Sequence, residues 1–412
     1  MDNLNGYKAF EPGMICRGKQ YEENTDYEEE GGKICEKGMM HYCVNPFDVL
    51  NFYPLVNDSG KVSDFAAVKS LEEPVSGDDG KFATKNLHIG VKLGFAGFVN
   101  ACIDYIKKET IPSSTVESNS AKIGSSGDYA KIGSSGDSAQ IGSSGNSAQI
   151  GSSGNSAQIG SSGDYAKIGS SGNSAKIGSS GYSVQIGSSG NSAKIGSSGN
   201  SAQIGSSGDS AKIGSSGYSA KIGSSGNSAK IGSSGNSAKI GSSGDSVQIG
   251  SSGYSAKIGS SGDSAQIGSS GNSAKIGSSG YYAKIGSSGD SAQIGSSGNY
   301  AQIGSSGDSA KIGSSGDYAK IGSSGYSVQI GSSGDSAQIE SSGEDSVICC
   351  SGDGSIVKAK LGSWITLAEW KYSEEKYRMV PQFVKTEFVD GEKIKADTWY
   401  KLFNGEFTEV SP

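Results

Sequence analysis

Three cysteines and one histidine near the start of the chain are the residues whose types could hold a metal ion. Cys16, Cys35, His41 and Cys43 follow one another with the spacing C-x18-C-x5-H-x-C. Thiolate and imidazole groups are ligands that zinc prefers, and four of them complete a tetrahedral site. The spacing matches no usual pair-and-pair pattern. Cysteines packed in a hydrophobic core are therefore the favoured interpretation, and a zinc site is the weaker one.

Other groups that could take part in catalysis are few. The chain has two histidines, His41 and His88, so few residues are available for a histidine-based catalytic relay. Arg17 and Tyr21, with the block at residues 42–53, weakly resemble a nucleotide-transferase fold, but no acidic residue is placed for catalysis. The competing interpretation is that these residues belong to a surface loop and to an ordinary hydrophobic core. We therefore expect neither catalytic nor cofactor-binding residues, and an enzymatic N-terminal domain is the minor alternative.

Composition argues against one large hydrophobic core. Of 412 residues, 66 are Gly and 7 are Pro, and hydrophobic residues make up 33%. That fraction is low for a single globular domain of this length. The net charge is −7 and the sequence pI is about 5.1. This balance does not favour a nucleic-acid partner, because nucleic-acid binders usually present a basic face.

The sequence carries no feature that directs it to a membrane. The first residues lack the basic and apolar regions of a secretory leader, and no stretch approaches ~18 consecutive apolar residues. Six cysteines in 412 residues are not a disulfide framework. We therefore expect a cytoplasmic protein with reduced thiols and no membrane contact. Association with a virus particle is the alternative that stays open.

A nine-residue repeat dominates the middle of the chain. Isoleucine recurs every nine residues from Ile123 to Ile339, which gives twenty-five near-identical units between residues 119 and 343. Each unit reads D/N/Y, S/Y, A, K/Q, I, G, S, S, G. Ile is never replaced and Ala is replaced only by Val, whereas the residue between them is Lys or Gln. A disordered linker would have the same Gly and Ser content, but it would not need Ala and Ile at fixed positions in every unit. An ordered array is therefore favoured.

Strand geometry explains which positions vary. Side chains alternate faces with a period of two, so Ala and Ile point to one side and their polar neighbours to the other. We expect Gly-Ser-Ser-Gly to form the turn, with glycine accepting a positive φ. The predicted core residues include Ile123, Ile132, Ile231, Ile339, Ala121 and Ala229. The predicted exposed residues include Lys122, Lys230, Tyr129 and Tyr165.

One unit cannot bury its own apolar face, whereas stacked units can, which is the logic of a solenoid. We favour two units per coil over three, because Ala opposite Ile makes a thin interior suited to a flattened roll. Tyr182, Tyr218 and Tyr254 recur at intervals of 36 residues, which also fits an even number of units per coil, although Tyr281 breaks that series. The predicted fold is therefore mainly β, with a nine-residue-repeat β-solenoid at residues 119–343.

Non-repetitive regions at residues 1–118 and 344–412 are predicted to cap the solenoid, because its open edges would otherwise pair with other strands. Residues 95–108 carry apolar side chains on one helical face. Asn45 and Pro46 are typical of the start of a short helix. With short strands in the rest, we predict an α+β N-terminal domain.

Cys349 and Cys350 lie where the repeats end. We expect the repeat phase to slip by one residue at Glu344, after which Val347 and Cys349 would point into the interior. One thiol of the pair would then face inward and the other outward. A structural role is favoured over a redox role.

The C-terminal cap is predicted to be mostly antiparallel β. Asp390-Gly391 and Asn404-Gly405 stand between alternating segments and are strong hairpin signals.

The flanks resemble an uncharacterised family found in phages and bacterial genomes. The resemblance rests on GYKAF…ICRGKQYEE…CEKGMMHYCVNPFDVLNFY between Gly6 and Tyr53, and on LGSWITLAEW and VDGEKIKADTWYKL between Leu361 and Leu402. Members similarly carry short Ser/Ala/Gly repeats between these blocks. The resemblance implies a phage or prophage origin, and it implies no activity and no functional residue.

We therefore expect a non-enzymatic structural or interaction protein, a rigid rod that displays a repetitive face of Lys/Gln and Ser/Tyr. The first alternative is a binding module for an extended or repetitive partner such as a glycan, a polyanion or a host protein. The second is an enzyme with its active site in the N-terminal domain. No cofactor is expected, since the units do not match the Gly-Gly-x-Gly-x-Asp pattern of calcium-binding rolls.

Overall fold

A computed structural model describes residues 5–31, 38–57, 60–77, 80–109 and 119–412. The protein is mainly β, with 46% strand and 5% helix, and it contains a β-solenoid of about 14 turns with a period of about 18 residues. The predicted fold class, including two nine-residue units per coil, is confirmed. The chain divides into two compact units, Met1–Ala229 and Lys230–Pro412, which are described in turn.

The first unit begins with an N-terminal domain built on a seven-stranded antiparallel sheet. Its strands, and those of a separate hairpin, are β1 (Asn5–Phe10), β2 (Ile15–Cys16), β3 (Lys19–Gln20), β4 (Thr25–Glu28), β5 (Met40–Cys43), β6 (Asp64–Ser70), β7 (Val75–Ser76), β8 (Lys81–Thr84) and β9 (Asn86–Leu93). The sheet order is β4-β9-β6-β1-β5-β8-β7, and β2 and β3 form the hairpin. Alternation along β1 and β6 supplies two apolar clusters, one with Ala9 and Phe65 and the other with Phe10 and Ala66.

Both helical segments of this domain lie where they were predicted. A 3₁₀-helix spans Pro46–Asn51, and the side-chain oxygen of Asn45 caps it by accepting a backbone N–H at 3.1 Å. The α-helix α1 spans Phe95–Glu109. It packs on the sheet through Phe98, whose ring is stacked on that of Phe65 with centroids 3.8 Å apart. Within the described ranges, no helix is long and apolar enough to cross a membrane.

Twelve solenoid strands complete the first unit. They are β10 (Lys122–Ser125), β11 (Lys131–Ser134), β12 (Gln140–Ser143), β13 (Gln149–Ser152), β14 (Gln158–Ser161), β15 (Lys167–Ser170), β16 (Lys176–Ser179), β17 (Gln185–Ser188), β18 (Lys194–Ser197), β19 (Gln203–Ser206), β20 (Lys212–Ser215) and β21 (Lys221–Ser224). Within this unit, strands pair in parallel with the strand two places along the chain, so Ile123 of β10 lies beside Ile141 of β12. Even-numbered strands therefore form one sheet and odd-numbered strands the other.

Four side-chain positions of each unit point inward. In one unit these are Ala139, Ile141, Ser143 and Gly145, all buried. The strand runs through Lys/Gln-Ile-Gly-Ser, and the tight turn falls on the first two residues of the next unit. The predicted turn at Gly-Ser-Ser-Gly is therefore wrong, because its first serine continues the alternation into the interior. That buried hydroxyl has a local role, as when Ser134 Oγ accepts a hydrogen bond from the corner amide two residues later at 3.3 Å.

Close stacking of the backbone explains the last glycine of each unit. We predicted that the glycines of the repeat are needed because they accept a positive φ. No glycine between residues 119 and 343 has a positive φ, so that reason does not apply. A Cβ at Gly145 would overlap the carbonyl oxygen of Gly127 in the preceding coil, and a Cβ at Gly163 would overlap that of Gly145. Glycine is required at this corner because successive coils touch there through their main chains.

The second unit contains thirteen repeat strands followed by the strands of the C-terminal region. The repeat strands are β22 (Lys230–Ser233), β23 (Lys239–Ser242), β24 (Gln248–Ser251), β25 (Lys257–Ser260), β26 (Gln266–Ser269), β27 (Lys275–Ser278), β28 (Lys284–Ser287), β29 (Gln293–Ser296), β30 (Gln302–Ser305), β31 (Lys311–Ser314), β32 (Lys320–Ser323), β33 (Gln329–Ser332) and β34 (Gln338–Ser341). The later strands are β35 (Val347–Cys350), β36 (Ile356–Lys358), β37 (Trp364–Ser373), β38 (Arg378–Phe388), β39 (Trp399–Phe403) and β40 (Glu406–Glu409).

The coils continue past the end of the repeat motif without a slip as far as β36, and the offset between β35 and β37 is then one residue shorter. Ile348 of β35 lies beside Ile330 of β33, so Ile348 and Cys350 point inward and are buried. Val347 and Cys349 are exposed, and the prediction that these two face the interior is wrong. The prediction failed because residues 344–352 differ from the repeat motif in residue type but still form a unit of nine residues. β36 and β37 then extend the two parallel sheets.

Antiparallel strands close both sheets at the C-terminal end. β38 pairs with β37, and β39 pairs with β36. Asn404 and Gly405, both with positive φ, form the predicted two-residue hairpin between β39 and β40. Asp390-Gly391 does not form a hairpin. The Asp390 carboxylate instead accepts the backbone N–H groups of residues 392–394, in a connection that leads from one sheet to the other.

Candidate functional site

Helix α1 and the loop that follows the 3₁₀-helix lie on a row of glycines on the outer face of the first unit. This glycine row is the sixth residue of successive units on odd-numbered strands, namely Gly151, Gly169, Gly187, Gly205 and Gly223. A Cβ at Gly187 would lie 3.1 Å from Val99 Cγ2, and a Cβ at Gly205 would lie 2.8 Å from Phe95 Cζ. On the opposite sheet, a Cβ at Gly214 would meet no atom within 4 Å. The absence of side chains therefore lets the N-terminal domain approach the sheet backbone.

Polar contacts from the Lys/Gln position of the same strands hold the domain on this row. Lys167 Nζ donates to the Phe47 carbonyl oxygen at 3.1 Å and lies 3.9 Å from Asp48 Oδ1. Burial lowers the pKa of Lys167, and the Asp48 carboxylate opposes that shift. Gln203 Oε1 accepts the backbone N–H of Leu55 at 3.0 Å. The Lys/Gln face that we expected to meet water is thus covered on these strands.

The other repeat residues named from the sequence lie as follows. Ile132, Ile231, Ile339, Ala121 and Ala229 are buried. Lys122, Lys230, Tyr129 and Tyr165 are exposed. Ile123 was expected in the core but is only half-buried, because it lies on the edge strand β10, which has a paired neighbour on one side.

The N-terminal domain contains a pocket where β1 and β5 separate, here called the N-terminal pocket. The two strands are neighbours in the sheet, yet among the described residues they share a single aligned pair, Tyr7 with Cys43. Residues 7–9 and 41–43 line a pocket that holds about 520 Å³ of empty space, part of it open to solvent. Its cavity volume is about 90 Å³, which is below the range of roughly 300–1,000 Å³ for most small-molecule sites.

A buried lysine forms part of this pocket. Lys8 is 6% exposed, and its Nζ donates to the His41 carbonyl oxygen at 2.8 Å. Burial lowers the pKa of the Lys8 ammonium group, and the neighbouring Arg17 adds to that shift, whereas Cys16 and Cys43 oppose it. The ammonium group also lies 5.6 Å from the centre of the Phe10 ring. An ammonium group in such surroundings gains from any anion that enters the pocket.

A tight turn places Arg17 at the same pocket. Arg17 and Gly18 join β2 to β3, and both have positive φ, +51° and +80°. A two-residue hairpin with two positive φ values is a type I′ turn, in which Asn-Gly is the preferred pair. Arginine at the first position is therefore strained by about 1–2 kcal/mol relative to a residue that tolerates this conformation.

Cys16, on the adjoining strand, is hydrogen-bonded rather than free. Its Sγ lies 2.9 Å from the Tyr53 hydroxyl oxygen. Burial raises the pKa of Tyr53, and the bond to Cys16 raises it further. At neutral pH the Tyr53 hydroxyl is therefore protonated, and it forms a neutral part of the pocket wall.

Three of the four predicted metal ligands lie around the N-terminal pocket. These are Cys16, His41 and Cys43, whereas Cys35 lies outside the described residues. Among the residues that the structure describes, no group of three or more His, Cys, Asp or Glu side chains could hold a metal ion. The described geometry therefore brings these residues together as pocket walls.

The cysteine pair at the end of the repeats is split between the two faces of β35. Cys349 is exposed, whereas Cys350 is buried at a position equivalent to the inward serine of a repeat. Burial raises the pKa of the Cys350 thiol, and the neighbouring Cys349 adds to the shift. The inward thiol is therefore protonated at neutral pH and fills the interior.

Sequence reasoning missed the packing role of the glycine row and the burial of Lys8. The row carried a usable signal, because an outward-facing glycine in a strand often marks the close approach of another backbone or element. Nothing in the residues around Lys8 signalled its burial, since a lysine in an alternating strand is normally placed on the solvent side.

A search of curated proteins and a search of solved structures returned no match to this chain. The N-terminal domain is similar to one family of proteins. Over residues 4–101 the chain matches the family model described as "Domain of unknown function (DUF7666)".

Proposed function

We propose that this protein is a non-enzymatic structural scaffold of phage or prophage origin. In this proposal the solenoid carries the N-terminal domain on its glycine row and leaves its remaining repetitive faces available to a partner. The observation that carries the proposal is the packing of Phe95 and Val99 against Gly187 and Gly205, at distances that leave no room for a Cβ at Gly205. A repeat that accepts a folded domain without side chains of its own is suited to display that domain.

The origin rests on the resemblance of the flanking blocks, at residues 6–53 and 361–402, to proteins found in phages and bacterial genomes. The genes that neighbour the gene for this protein test the proposed phage or prophage origin. Neighbouring genes for phage structural or packaging proteins would support the origin, and a setting among unrelated chromosomal genes would count against it.

Substitution in the glycine row tests the scaffold role directly. Gly205→Leu should push the Phe95 ring away, and it should lower the free energy of unfolding of the first unit by about 1–3 kcal/mol through overpacking. It should also speed hydrogen exchange of the α1 amides, because the helix loses its support. Chemical denaturation and hydrogen exchange followed by mass spectrometry measure the two effects on the full-length chain.

Gly214→Leu is the matched control. It places the same side chain at the same position of the adjacent unit, on the sheet where no atom lies within 4 Å. Its effect on stability should be within about 0.5 kcal/mol, and α1 should exchange at the wild-type rate. Equal effects of the two substitutions would show that the solenoid does not hold the domain through this row.

A further inference from the structure

Four exposed tyrosines lie together at one corner of the solenoid in the second unit, and they are here called the tyrosine ladder. Tyr282, Tyr300 and Tyr318 occupy the second position of repeats 18 residues apart, and Tyr281 precedes the first of them. Each of these corners joins an odd-numbered strand to the next even-numbered strand, as Tyr300 does between β29 and β30. The four side chains are 40–54% exposed. Contiguous exposed groups of large apolar rings mark interaction sites on proteins.

The rings of the tyrosine ladder pack on one another from coil to coil. The ring planes of Tyr300 and Tyr318 are within 7° of parallel, and their centroids are 4.9 Å apart. The Tyr282 ring lies 5.6 Å from that of Tyr300 and is tilted by 31°. Parallel rings in direct face-to-face contact would be only ~3.5–4.0 Å apart, so these rings are offset and each leaves part of its face exposed. The ladder therefore presents a series of partly open ring faces that repeats with the coils, at a step of about 4.8 Å.

A shallow trough lies beside the tyrosine ladder on the odd-numbered strands. Outward glycines form its floor, and a Cβ at Gly295 or Gly313 would meet no atom within 4 Å. Ser297 and Ser315 line the side of the trough next to the ladder, since each precedes a ladder tyrosine by three residues. The trough has a volume of about 690 Å³ and is largely open to solvent. It is therefore suited to an extended chain that runs from coil to coil.

Polar groups next to the rings are held in place by the corner itself. Asn299 Oδ1 accepts the backbone N–H of Asp317 at 2.9 Å, and Asp317 Oδ1 accepts that of Asp335 at 2.8 Å. The amide nitrogen of Asn299 can donate to a ligand hydroxyl, and the second carboxylate oxygen of Asp317 can accept from one. The charges of Asp317 and Asp335 are matched in number by Lys284 and Lys320 on the strands that follow these corners. This balance favours an uncharged ligand that is rich in hydroxyl groups.

We propose that the tyrosine ladder and the adjoining trough bind a linear, uncharged polysaccharide of straight, cellulose-like geometry. The apolar faces of its sugar rings contact the tyrosine rings, and its hydroxyl groups bond to the serines, Asn299 and Asp317. Successive sugar rings of such a chain follow one another at an interval close to the coil spacing, so consecutive sugars contact consecutive coils. A protein partner would also need apolar side chains around the rings, whereas the outward strand positions beside this corner are Lys or Gln, Gly and Ser. This binding extends the proposed scaffold role, on which it rests for the availability of the solenoid faces.

Calorimetric titration of the full-length protein with cellohexaose, a straight chain of six glucose units, tests the proposal. Cellohexaose should bind saturably. Glucose, which reaches one ring at a time, and maltohexaose, whose links have the opposite configuration and curve the chain, should each bind at least roughly tenfold more weakly. Absence of saturable cellohexaose binding, or maltohexaose binding as tightly, would overturn the proposal. Gly205→Leu, which tests the scaffold role in the first unit, should leave cellohexaose binding unchanged, so the two proposals fail separately.

Tyr300→Ser separates ligand binding from folding. Serine is the usual residue at this position, and Ser336 at an equivalent corner has the same φ of +55° as Tyr300, so the melting temperature should stay close to that of the wild type. The affinity for cellohexaose should fall roughly tenfold, because the central ring of the ladder is lost. Tyr254→Asn is the matched control and should bind normally, since it removes an exposed tyrosine of the same unit at a position where asparagine is common.

Equal affinity in the wild type and Tyr300→Ser would contradict the assigned site. Analytical ultracentrifugation of the same two proteins checks the competing occupant, a second copy of this chain. A concentration-dependent dimer that Tyr300→Ser abolishes would assign the ladder to a contact between copies and would rule out the polysaccharide.

Discussion

At Lys8 a charged ammonium group is held in a site that excludes most water. The residue is 6% exposed and its nitrogen is 2.8 Å from the His41 carbonyl oxygen. Its hydrogen bonds, to the His41 carbonyl oxygen and to Cys16, do not replace the hydration of a full charge, so the charged form is destabilised and the pKa falls. The charged form of Lys8 therefore lowers the stability of the folded protein.

The pH dependence of stability should reveal this penalty. The folded-state pKa of Lys8 lies below its unfolded value of about 10.5. Between the two values the unfolded chain binds more protons, so the free energy of unfolding rises with pH in that window. Below the folded-state pKa, Lys8→Met should be more stable than wild type by about 1 kcal/mol, because the buried charge is gone. The difference should shrink as the pH approaches 10.5.

Urea denaturation of both proteins at a series of pH values measures this difference. Comparing the two cancels the opposite trend of Tyr21 and Tyr53, whose pKa values are raised by burial and whose contribution weakens above pH 10. A gap between the two proteins that is constant with pH would contradict a lowered pKa at Lys8.

At the scale of single elements, a solenoid strand has two faces that differ sharply in their tolerance of change. On β22, Ile231 is 3% exposed and lies beside Ile249 of β24, whereas Lys230 is exposed. The sequence placed both residues correctly, because the period of two follows from strand geometry alone. It misplaced the turn, because Gly-Ser-Ser-Gly has the composition of a loop although its first two residues belong to the strand.

A pair of neighbouring substitutions on β22 measures the contrast. Ile231→Asp places an unpaired carboxylate in the interior and should lower the free energy of unfolding of the second unit by about 3–5 kcal/mol. Lys230→Gln exchanges two residues that already alternate at this position, and it should change stability by less than about 0.5 kcal/mol. Guanidinium denaturation of both variants compares them. Similar losses from the two would count against the assigned faces.

At the scale of the whole molecule, stability comes from stacking of equivalent coils. Within each unit the repeat strands pair with the strand 18 residues later, so stability is approximately a sum over coils and their contacts. The closed end in the second unit depends on the antiparallel strands β38, β39 and β40, of which β38 and β40 occupy the last edges of the two sheets. Covered edges are what keep such an array from pairing end to end.

Deletions of different length test this additive picture. Removing residues 263–280 takes out one complete coil of the second unit and keeps every later residue in phase. The melting temperature should change by no more than a few degrees, because one of about 14 turns is lost. Removing residues 263–267 instead cuts a unit in the middle and breaks the Ala-x-Ile alternation. This shorter deletion should melt well below the longer one, and the reverse order would contradict the coil assignment.

The sequence by itself determined the repeat, its inward Ala and Ile, the two units per coil, helix α1 and the Asn404-Gly405 hairpin. Each of these follows from local periodicity or from the φ preference of a few adjacent residues. Tertiary structure alone decided that the glycine row receives the N-terminal domain, that the corner glycines are needed for backbone contact, and that β1 and β5 part to form the N-terminal pocket. These features depend on contacts between residues far apart in the chain, such as the 148-residue separation of Leu55 and Gln203, and no local pattern encodes them.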